Sequence, residues 1–553
     1  MGCRHSDIRQ LPRHVFSHRD PRHMTSIQDT TLLERPASYN KQNITRPVHE
    51  WFEQQVRRTP EAVALETAAG ETVSYRTLNE RANRLAARLR YAGVCQNTLV
   101  ALCMDQGSQL VTSLLAVLKA GGAYVPIDTS NPDSRIQYIL KDTSAHLLLT
   151  MSSLVGRLAG MGCELVCVDD LSTVMFSSSD DLHVPVQTDD WVYCIYTSGS
   201  TGKPKGALNL HRGLSNLISW YLCEAGLSAM DRVIVASSIG FDLTQKNVIA
   251  PLCIGACVLL PQCTPADASR FLKALSTLAP TWINCSPSTF RTFATSPRTK
   301  TLRTVVLGGE AVDESMVSKL KGRDLRLINS YGPTECSDVA LWEQWPMNAE
   351  VPAGNMPIGR AIPQVRSVLL DSALKPVPSG EVGEICIGGV AVGGGYLGQP
   401  DKTADRFVID PSDPDEGLIY RTGDLGRLRA DGSIEFIGRQ DFQVKVRGHR
   451  IELGEIESYL LENPAVGAAA VCAYEAAPGD KRLVAYVVAS AESVPLSSQV
   501  LAQDIRRHLP EYMVPCDWIQ LDSLPINLNG KINRQVLPKP IWALRGTVSG
   551  DAE

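Results

Sequence analysis

The chain has 553 residues, 44% apolar and 20% charged, with 54 Lys and Arg against 59 Asp and Glu. At ~100–200 residues per domain this amounts to about three to five domain-sized units, so the core needs no disulfide or metal staple. A net charge of −5 excludes nucleic-acid binding by bulk positive charge, and no run approaches the ~18 apolar residues of a membrane span.

The fifteen cysteines are scattered and include no Cys-x-x-Cys pair. That pattern reads as reduced thiols of a cytoplasmic protein rather than a disulfide framework or a zinc site.

Residues 1–24 are rich in Arg and His and lack an apolar stretch, which excludes a secretory signal and predicts a disordered leader. From about residue 45 to 440 helical and strand-like stretches alternate. Between Leu78 and Gly93, the residues Leu78, Ala82, Leu85 and Leu89 share one helical face, and Gly93 is the stop signal. A short apolar run follows at 98–104, then a helical stretch, then Ala123-Tyr124-Val125-Pro126. This alternation predicts an α/β fold with mainly parallel strands. Composition shifts at 438–448, where Gly438, Arg439, Asp441, Lys445, Arg447 and Gly448 make a polar hinge. The expected organisation is therefore a leader over 1–24, a large N-terminal core over 25–440, a small α+β C-terminal domain over 441–540 and a disordered tail over 541–553.

The apolar run Trp191–Ile195 leads into Tyr196-Thr197-Ser198-Gly199-Ser200-Thr201-Gly202-Lys203-Pro204-Lys205-Gly206. Small residues let backbone N–H groups approach an anion, hydroxyls donate to it and Lys neutralises it, so a strand entering such a loop points to phosphate binding. The string is not a Walker A loop, because Pro204 stands where that motif needs a Ser or Thr for Mg²⁺.

With that loop in place, the chain resembles the adenylation domains of nonribosomal peptide synthesis, within the adenylate-forming superfamily of acyl-CoA synthetases and luciferases. The matching strings include Leu118-Lys119-Ala120-Gly121-Gly122-Ala123-Tyr124-Val125-Pro126, Asn329-Ser330-Tyr331-Gly332-Pro333-Thr334-Glu335, Tyr420-Arg421-Thr422-Gly423-Asp424-Leu425, Gly438 to Gly448, and Asn529-Gly530-Lys531-Ile532-Asn533-Arg534. They span Ser74 to Arg534 in order.

The resemblance implies an adenylate-forming fold with a mobile C-terminal lid. It also implies two half-reactions, using ATP and Mg²⁺. An amino-acid carboxylate joins the α-phosphate of ATP with loss of pyrophosphate, and the aminoacyl group then passes to the phosphopantetheine thiol of a carrier protein. By the same resemblance, Thr197, Ser198, Gly199, Ser200, Thr201, Gly202, Lys203 and Lys205 would cradle the β- and γ-phosphates. Glu335 would hold Mg²⁺ and Thr334 the α-phosphate. Tyr331 would stack on adenine with Asn329 in the same pocket, Asp424 would accept the ribose hydroxyls, and Arg439 would reach ribose or phosphate. Lys531 would bridge the carboxylate and the leaving oxygen. Asp441 would be the hinge about which the lid rotates, withdrawing Lys531 and bringing in Gly448-His449-Arg450 for transfer. Gly394 departs from the family pattern, which has Arg before Gly-Tyr-Leu; added backbone freedom and a lost cation are the expected local effects.

Aligned in the same way, the substrate pocket would be lined by Asp242, Leu243, Lys246, Asn284, Val306, Gly308, Ser330, Asp338 and Val339, with Asp242 on the α-amino group. An N-cap would be the purely structural role for that Asp. Lys246 in a buried pocket must pair with Asp338, which favours a neutral polar side chain, or with the substrate, which favours an acidic one. Glutamine or glutamate is the first expectation. No carrier segment follows Arg534, so a separate carrier protein is expected, with a small activator protein as a further candidate partner. The alternative reading is an acyl-CoA synthetase or a D-alanyl-type carrier-protein ligase; Asp242 argues against the former.

Overall fold

The computed structural model describes residues 45–170, 179–199, 202–346, 354–411, 413–414, 417–477, 479–490, 496–526 and 532–545. Helix Tyr75–Tyr91 starts earlier than expected, because Ser74 caps it by accepting from the Thr77 amide. Its buried face is Tyr75, Leu78, Ala82, Leu85, Ala86 and Leu89, and Gly93 follows its end with φ +92°. It packs on the helix Ser108–Lys119, buried at every position but Gln109.

A nine-stranded sheet runs in the order 360–361, 341–345, 326–331, 304–308, 282–285, 232–235, 257–260, 63–67, 72–74. Its six inner strands are parallel, and the two strands at one edge and the one at the other are antiparallel. A seven-stranded sheet runs 395–396, 205–210, 191–197, 123–127, 99–103, 147–150, 164–167, again parallel except at the 205–210 end. A third sheet, built from 365–370, 382–389, 418–428, 407–409 and 434–439, is antiparallel throughout. The expectation of mainly parallel strands therefore describes two sheets and misses the third. Strands 365–370 and 382–389, and 418–428 and 434–439, follow each other without a helical crossover, which permits antiparallel pairing, whereas 407–409 enters after the helix Pro400–Arg406.

Beyond the hinge lie the hairpin Val444–Val446 with His449–Ile451, the helix Leu453–Leu461, and a three-stranded sheet over 466–477, 480–489 and 517–520. These share their own apolar cluster around Ile451, Ile456, Val471, Ala485 and Met513. Ile541–Arg545, expected to open a disordered tail, is instead a short helix: Trp542 Nε1 donates to Asp517 Oδ2 at 3.0 Å, which ties it to the last strand. The expected leader 1–24 lies outside the described residues.

The helix Asp242–Ile254 sits deepest. Nearly every side chain from Leu243 to Cys253 is buried, so the polar run Gln245-Lys246-Asn247 must find partners inside the protein. Gln245 accepts from Tyr124 Oη at 2.7 Å and donates to the carbonyls of Ile239 and Phe241. Asn247 accepts from Tyr221 Oη at 3.0 Å and donates to Leu243 O. Lys246 pairs with Asp338. Pro251 is accommodated within the helix, and its carbonyl accepts from Tyr75 Oη at 3.1 Å.

Candidate functional site

The strand Trp191–Thr197 delivers the Gly-rich loop, and Lys205 opens the next strand. At Gly199 a Cβ would run into the carbonyl oxygen of Lys203, and Gly202 adopts φ +78°, so the loop's path requires glycine at both positions. Among the described residues the buried Thr197 Oγ1 has no hydrogen-bond partner, as a hydroxyl serving a ligand would not. Lys203 is exposed, while Lys205 is buried. Ser200, Thr201 and Lys531 lie outside the described residues.

Lys205 Nζ lies 3.2 Å from Glu335 Oε1 and 2.9 Å from Tyr396 Oη, which itself donates to Glu335 Oε1 at 2.6 Å. On the other side Arg450 Nη1 donates to Glu335 Oε2 at 2.8 Å. Burial alone would push the Glu335 carboxyl up, but Arg450 and then Lys205 hold it well below the usual carboxylate range. Burial draws Lys205 down to about 8 against the pull of Glu335. A single hard carboxylate beside a phosphate loop suits Mg²⁺, which binds through one or two carboxylates plus substrate phosphates. Among the described residues no cluster of three or more His, Cys, Asp or Glu offers an all-protein metal cage.

Tyr331 Oη donates to Asp424 Oδ2 at 2.6 Å, and Arg439 forms an ion pair with the other oxygen of Asp424. Each carboxylate oxygen has two lone pairs, so Asp424 keeps acceptor capacity for hydroxyls. The Tyr331 ring lies 5.8 Å from the Lys445 ammonium. Asn329 is buried two residues before Tyr331 on the same strand, and its amide donates to Pro357 O at 2.8 Å, which leaves its second N–H and its oxygen for a ligand. Arg439 also grips Asp441 with Nε at 2.7 Å and Nη2 at 2.8 Å. Burial pushes Asp441 up, but this fork outweighs it and leaves the carboxyl below its ordinary range.

Asp242 is the first residue of its helix and not its N-cap, which is Phe241. Its Oδ2 accepts from Thr334 Oγ1 at 2.5 Å and its Oδ1 from the Leu243 amide at 2.7 Å. The residues expected on the α-amino group and on the α-phosphate are thus in contact.

The expected pocket walls come together across neighbouring strands. Asn284 is paired in register with Val306, and Gly308 with Ser330. A Cβ on Gly308 would lie 2.7 Å from Ser330 Oγ and 3.6 Å from Leu243, so a larger residue there would invade the same space. Lys246 and Asp338 are both buried, and Asp338 takes a left-handed φ of +73°. Burial pushes the Asp338 carboxyl up to about 6, with Lys246 opposing the shift. The carboxamide of Asn284 lies near a Tyr221 hydroxyl already engaged by Trp282 and Asn247, and among the described residues neither of its polar atoms has a partner of hydrogen-bonding geometry. Val339 is buried beside Asp338.

The C-terminal domain closes over this site. Ser198 Oγ donates to Arg450 O at 2.7 Å and accepts from Glu452 N at 3.0 Å. Gly199 N donates to Glu455 Oε2 at 3.2 Å, and Glu455 Oε1 pairs with Arg135 Nη1 at 2.9 Å. Gly448 N donates to Glu310. The His449 ring stacks on Tyr512 at 3.6 Å between centroids and meets Phe241 edge-on at 4.4 Å. Burial pushes His449 down to about 3, so the ring docks uncharged. Sequence reading placed the 448–450 loop here but missed Glu455, Arg135, Glu310 and Tyr396 as partners. Glu455 had only the signal of an acid in the first turn of a helix, which serves the helix dipole anywhere. Gly394, expected to use its backbone freedom, adopts no left-handed conformation, and a Cβ there would meet Leu210 and Leu208 at ordinary contact distance.

Comparison with known proteins decides the family. The AMP-binding enzyme family matches residues 52–397, and the AMP-binding enzyme C-terminal domain matches residues 455–531. The chain belongs to the AMP-binding enzyme family.

Relatives of this AMP-binding enzyme include tyrocidine synthase 1 of Brevibacillus parabrevis, 40% identical over 500 residues, covering 90% of the chain and 45% of the relative. Tyrocidine synthase 3 of the same organism is 40% identical over 507 residues, covering 90% and 8%. The chain spans less than half the length of each of these curated relatives. Among solved structures, an artificially fused adenylation–PCP di-domain NRPS from Klebsiella oxytoca aligns with TM-score 0.77 at 27% identity, over 87% of this chain and 94% of that one. An NRPS protein containing adenylation and PCP domains, bound to a vinylsulfonamide inhibitor, aligns with TM-score 0.78 at 25% identity, over 91% and 85%. The AMP-binding enzyme thus has the α/β adenylate-forming fold, with a large N-terminal and a small C-terminal domain. AMP-binding enzymes of this kind use ATP. Among the described residues no helix is long and apolar enough to cross a membrane.

Proposed function

We propose that this AMP-binding enzyme is an AMP-forming amino-acid ligase. It activates an amino acid as aminoacyl-AMP and passes the aminoacyl group to the phosphopantetheine thiol of a carrier protein in nonribosomal peptide or related biosynthesis. One observation carries the reading: Asp242, the first residue of the buried helix Asp242–Ile254, accepts a hydrogen bond from Thr334, one residue from Glu335. The anion expected on the ammonium group therefore sits beside the residue expected on the α-phosphate, whose hydroxyl proton, given to Asp242 in this state, would turn to phosphate when nucleotide binds.

Both reactants are anionic, so the site must offset their repulsion as well as the charge that builds at phosphorus. Lys205, the loop amides and hydroxyls, and Lys531 supply positive potential. Mg²⁺ on Glu335 would neutralise phosphate charge when bound. Asp424 and Tyr331 orient the nucleoside. Asp441, held by Arg439, is the hinge of a lid over 441–540 that exchanges Lys531 for the 448–450 loop between half-reactions.

The substrate side chain is neutral and polar, with glutamine the first candidate. Lys246 already has Asp338 as its counterion, so an acidic side chain would compete for an occupied charge. Asn284 remains to recognise an amide or hydroxyl, with Ser330 as an acceptor only, since its proton goes to Leu307 O at 3.1 Å. Leu243 and Val339 line the apolar part of the pocket. A cytoplasmic setting, where thiols stay reduced, belongs to the same reading.

Amino-acid-dependent pyrophosphate exchange, screened over all proteinogenic amino acids, tests this. Preference for glutamine or another small polar residue supports it; strong preference for leucine or phenylalanine refutes the polar pocket. Loading assays with carrier protein against free CoA separate it from the acyl-CoA synthetase alternative. Exchange by the chain expressed alone tests the need for an activator protein.

A further inference from the structure

The docked lid does more than cover the phosphate loop: it places charges on it. The Gly199 amide and the Ser198 hydroxyl are two groups expected to donate to the β- and γ-phosphates. Here Gly199 N is spent on the Glu455 carboxylate, and Ser198 Oγ on the Arg450 carbonyl. Each has a single proton to give, so neither can serve a phosphate in this state. Gly202, the next described glycine of the loop, packs against Ser458 on the helix that carries Glu455; a Cβ there would lie 2.7 Å from Ser458 Oγ.

Packing alone does not call for an acid at position 455. Its side chain is fully buried, and burying a carboxylate is expensive unless it is paired and hydrogen-bonded. The partners it has are Arg135, on the core helix Asp133–Thr143, and an amide belonging to an anion-binding loop. The same segment lays the Arg450 guanidinium on Glu335, the one carboxylate suited to Mg²⁺.

We propose that the lid carries ionic substitutes for the groups that leave after adenylation, with Glu455 standing in for a phosphate at Gly199 and Arg450 for Mg²⁺ at Glu335. This rests on the adenylating function proposed above and adds a consequence. The docked lid and a bound triphosphate or pyrophosphate exclude each other by competition for the same donors and the same carboxylate. Glu455 is a positioning residue: it touches neither substrate nor reacting atoms, and it ties docking for transfer to departure of pyrophosphate. A ligand that binds only the undocked state has its apparent affinity reduced by the undocked fraction.

The test uses the whole chain without amino acid, so no turnover occurs. Binding of α,β-methylene-ATP with Mg²⁺, and of inorganic pyrophosphate, is measured by calorimetry for the wild type, Glu455→Gln and Arg135→Gln. Hydrogen exchange of residues 448–458 is followed in the wild type with and without the analogue. Weakening the docked state should tighten analogue binding about three- to tenfold in both variants. Saturating analogue should speed exchange over 448–458 in the wild type. Unchanged or weaker binding in a folded variant overturns the proposal, as does undisturbed protection of 448–458 with analogue bound. If Glu455→Gln does not fold, the Arg135→Gln and wild-type measurements decide. A wild-type chain that binds no analogue refutes the adenylating function and the proposal with it, whereas binding without competition refutes the proposal alone.

Discussion

Arg450 Nη1 lies 2.8 Å from Glu335 Oε2, joining the C-terminal domain to the centre of the nucleotide site across 115 residues of chain. Glu335 is buried and Arg450 half-buried, and the lid is held there by complementary charge as well as by the His449–Tyr512 stack. Removing one partner of a buried pair leaves the other uncompensated.

Arg450→Ala should therefore disfavour the docked lid. Transfer to carrier protein is expected to fall by about tenfold or more, while amino-acid-dependent exchange is retained, because the undocked lid leaves Glu335 to the nucleotide. Single-turnover loading from preformed adenylate, set beside exchange rates, measures the difference. Equal losses in both would mean that Arg450 serves adenylation as much as transfer.

Lys531→Ala should behave in the opposite sense. It is expected to abolish adenylate formation while largely sparing transfer from supplied aminoacyl adenylate, because the lysine acts only when the lid is in its other orientation. Parallel loss of both half-reactions would contradict the two-state lid.

In the pocket, Asp338→Asn leaves Lys246 as a buried, unpaired cation. Stability should drop by about 3 kcal/mol, read from denaturant midpoints, and selectivity should move toward glutamate over glutamine by about tenfold. Exchange assays with the two amino acids provide the ratio. An unchanged ratio would place Lys246 and Asp338 outside side-chain recognition.

The same pair predicts a pH effect. Burial pushes Asp338 up to about 6, with Lys246 lowering it, Asp242 raising it and Lys445 lowering it more weakly. Above that value the pair is neutral overall. As pH falls through it, Asp338 takes up a proton and Lys246 loses its counterion, so the glutamate-to-glutamine ratio should rise in acid. Asp338→Asn should flatten the profile; a profile unchanged in that variant would assign the titration to another group.

Gly199→Ala tests the loop. The new methyl would meet the Lys203 carbonyl, a backbone atom that cannot rotate away. Exchange should fall by about a hundredfold, while the melting temperature changes little because the loop lies outside the apolar core. Full activity in this variant would mean that the loop tolerates another path.

Local strings were legible because their chemistry is written in neighbouring residues. A run of small residues after a strand can bend around an anion wherever it occurs, and the alternation of helices and strands from 45 to 440 dictates layered packing. Asp242 at the start of a helix, Glu335 after a Gly-Pro-Thr turn and the polar hinge at 438–448 were recognisable for the same reason. The all-antiparallel third sheet was less legible, since strand direction depends on connections that periodicity does not report.

Only the tertiary structure decided which charges meet. Lys246 and Asp338 are 92 residues apart, and nothing local separates a lysine paired with an aspartate from one awaiting substrate. Glu455 reaches Gly199 over 256 residues and was indistinguishable in sequence from an ordinary helix-dipole acid. The order of the motifs determined what chemistry the chain is built for. Burial, which makes each unpaired charge costly, determined how those charges pair when the lid is closed.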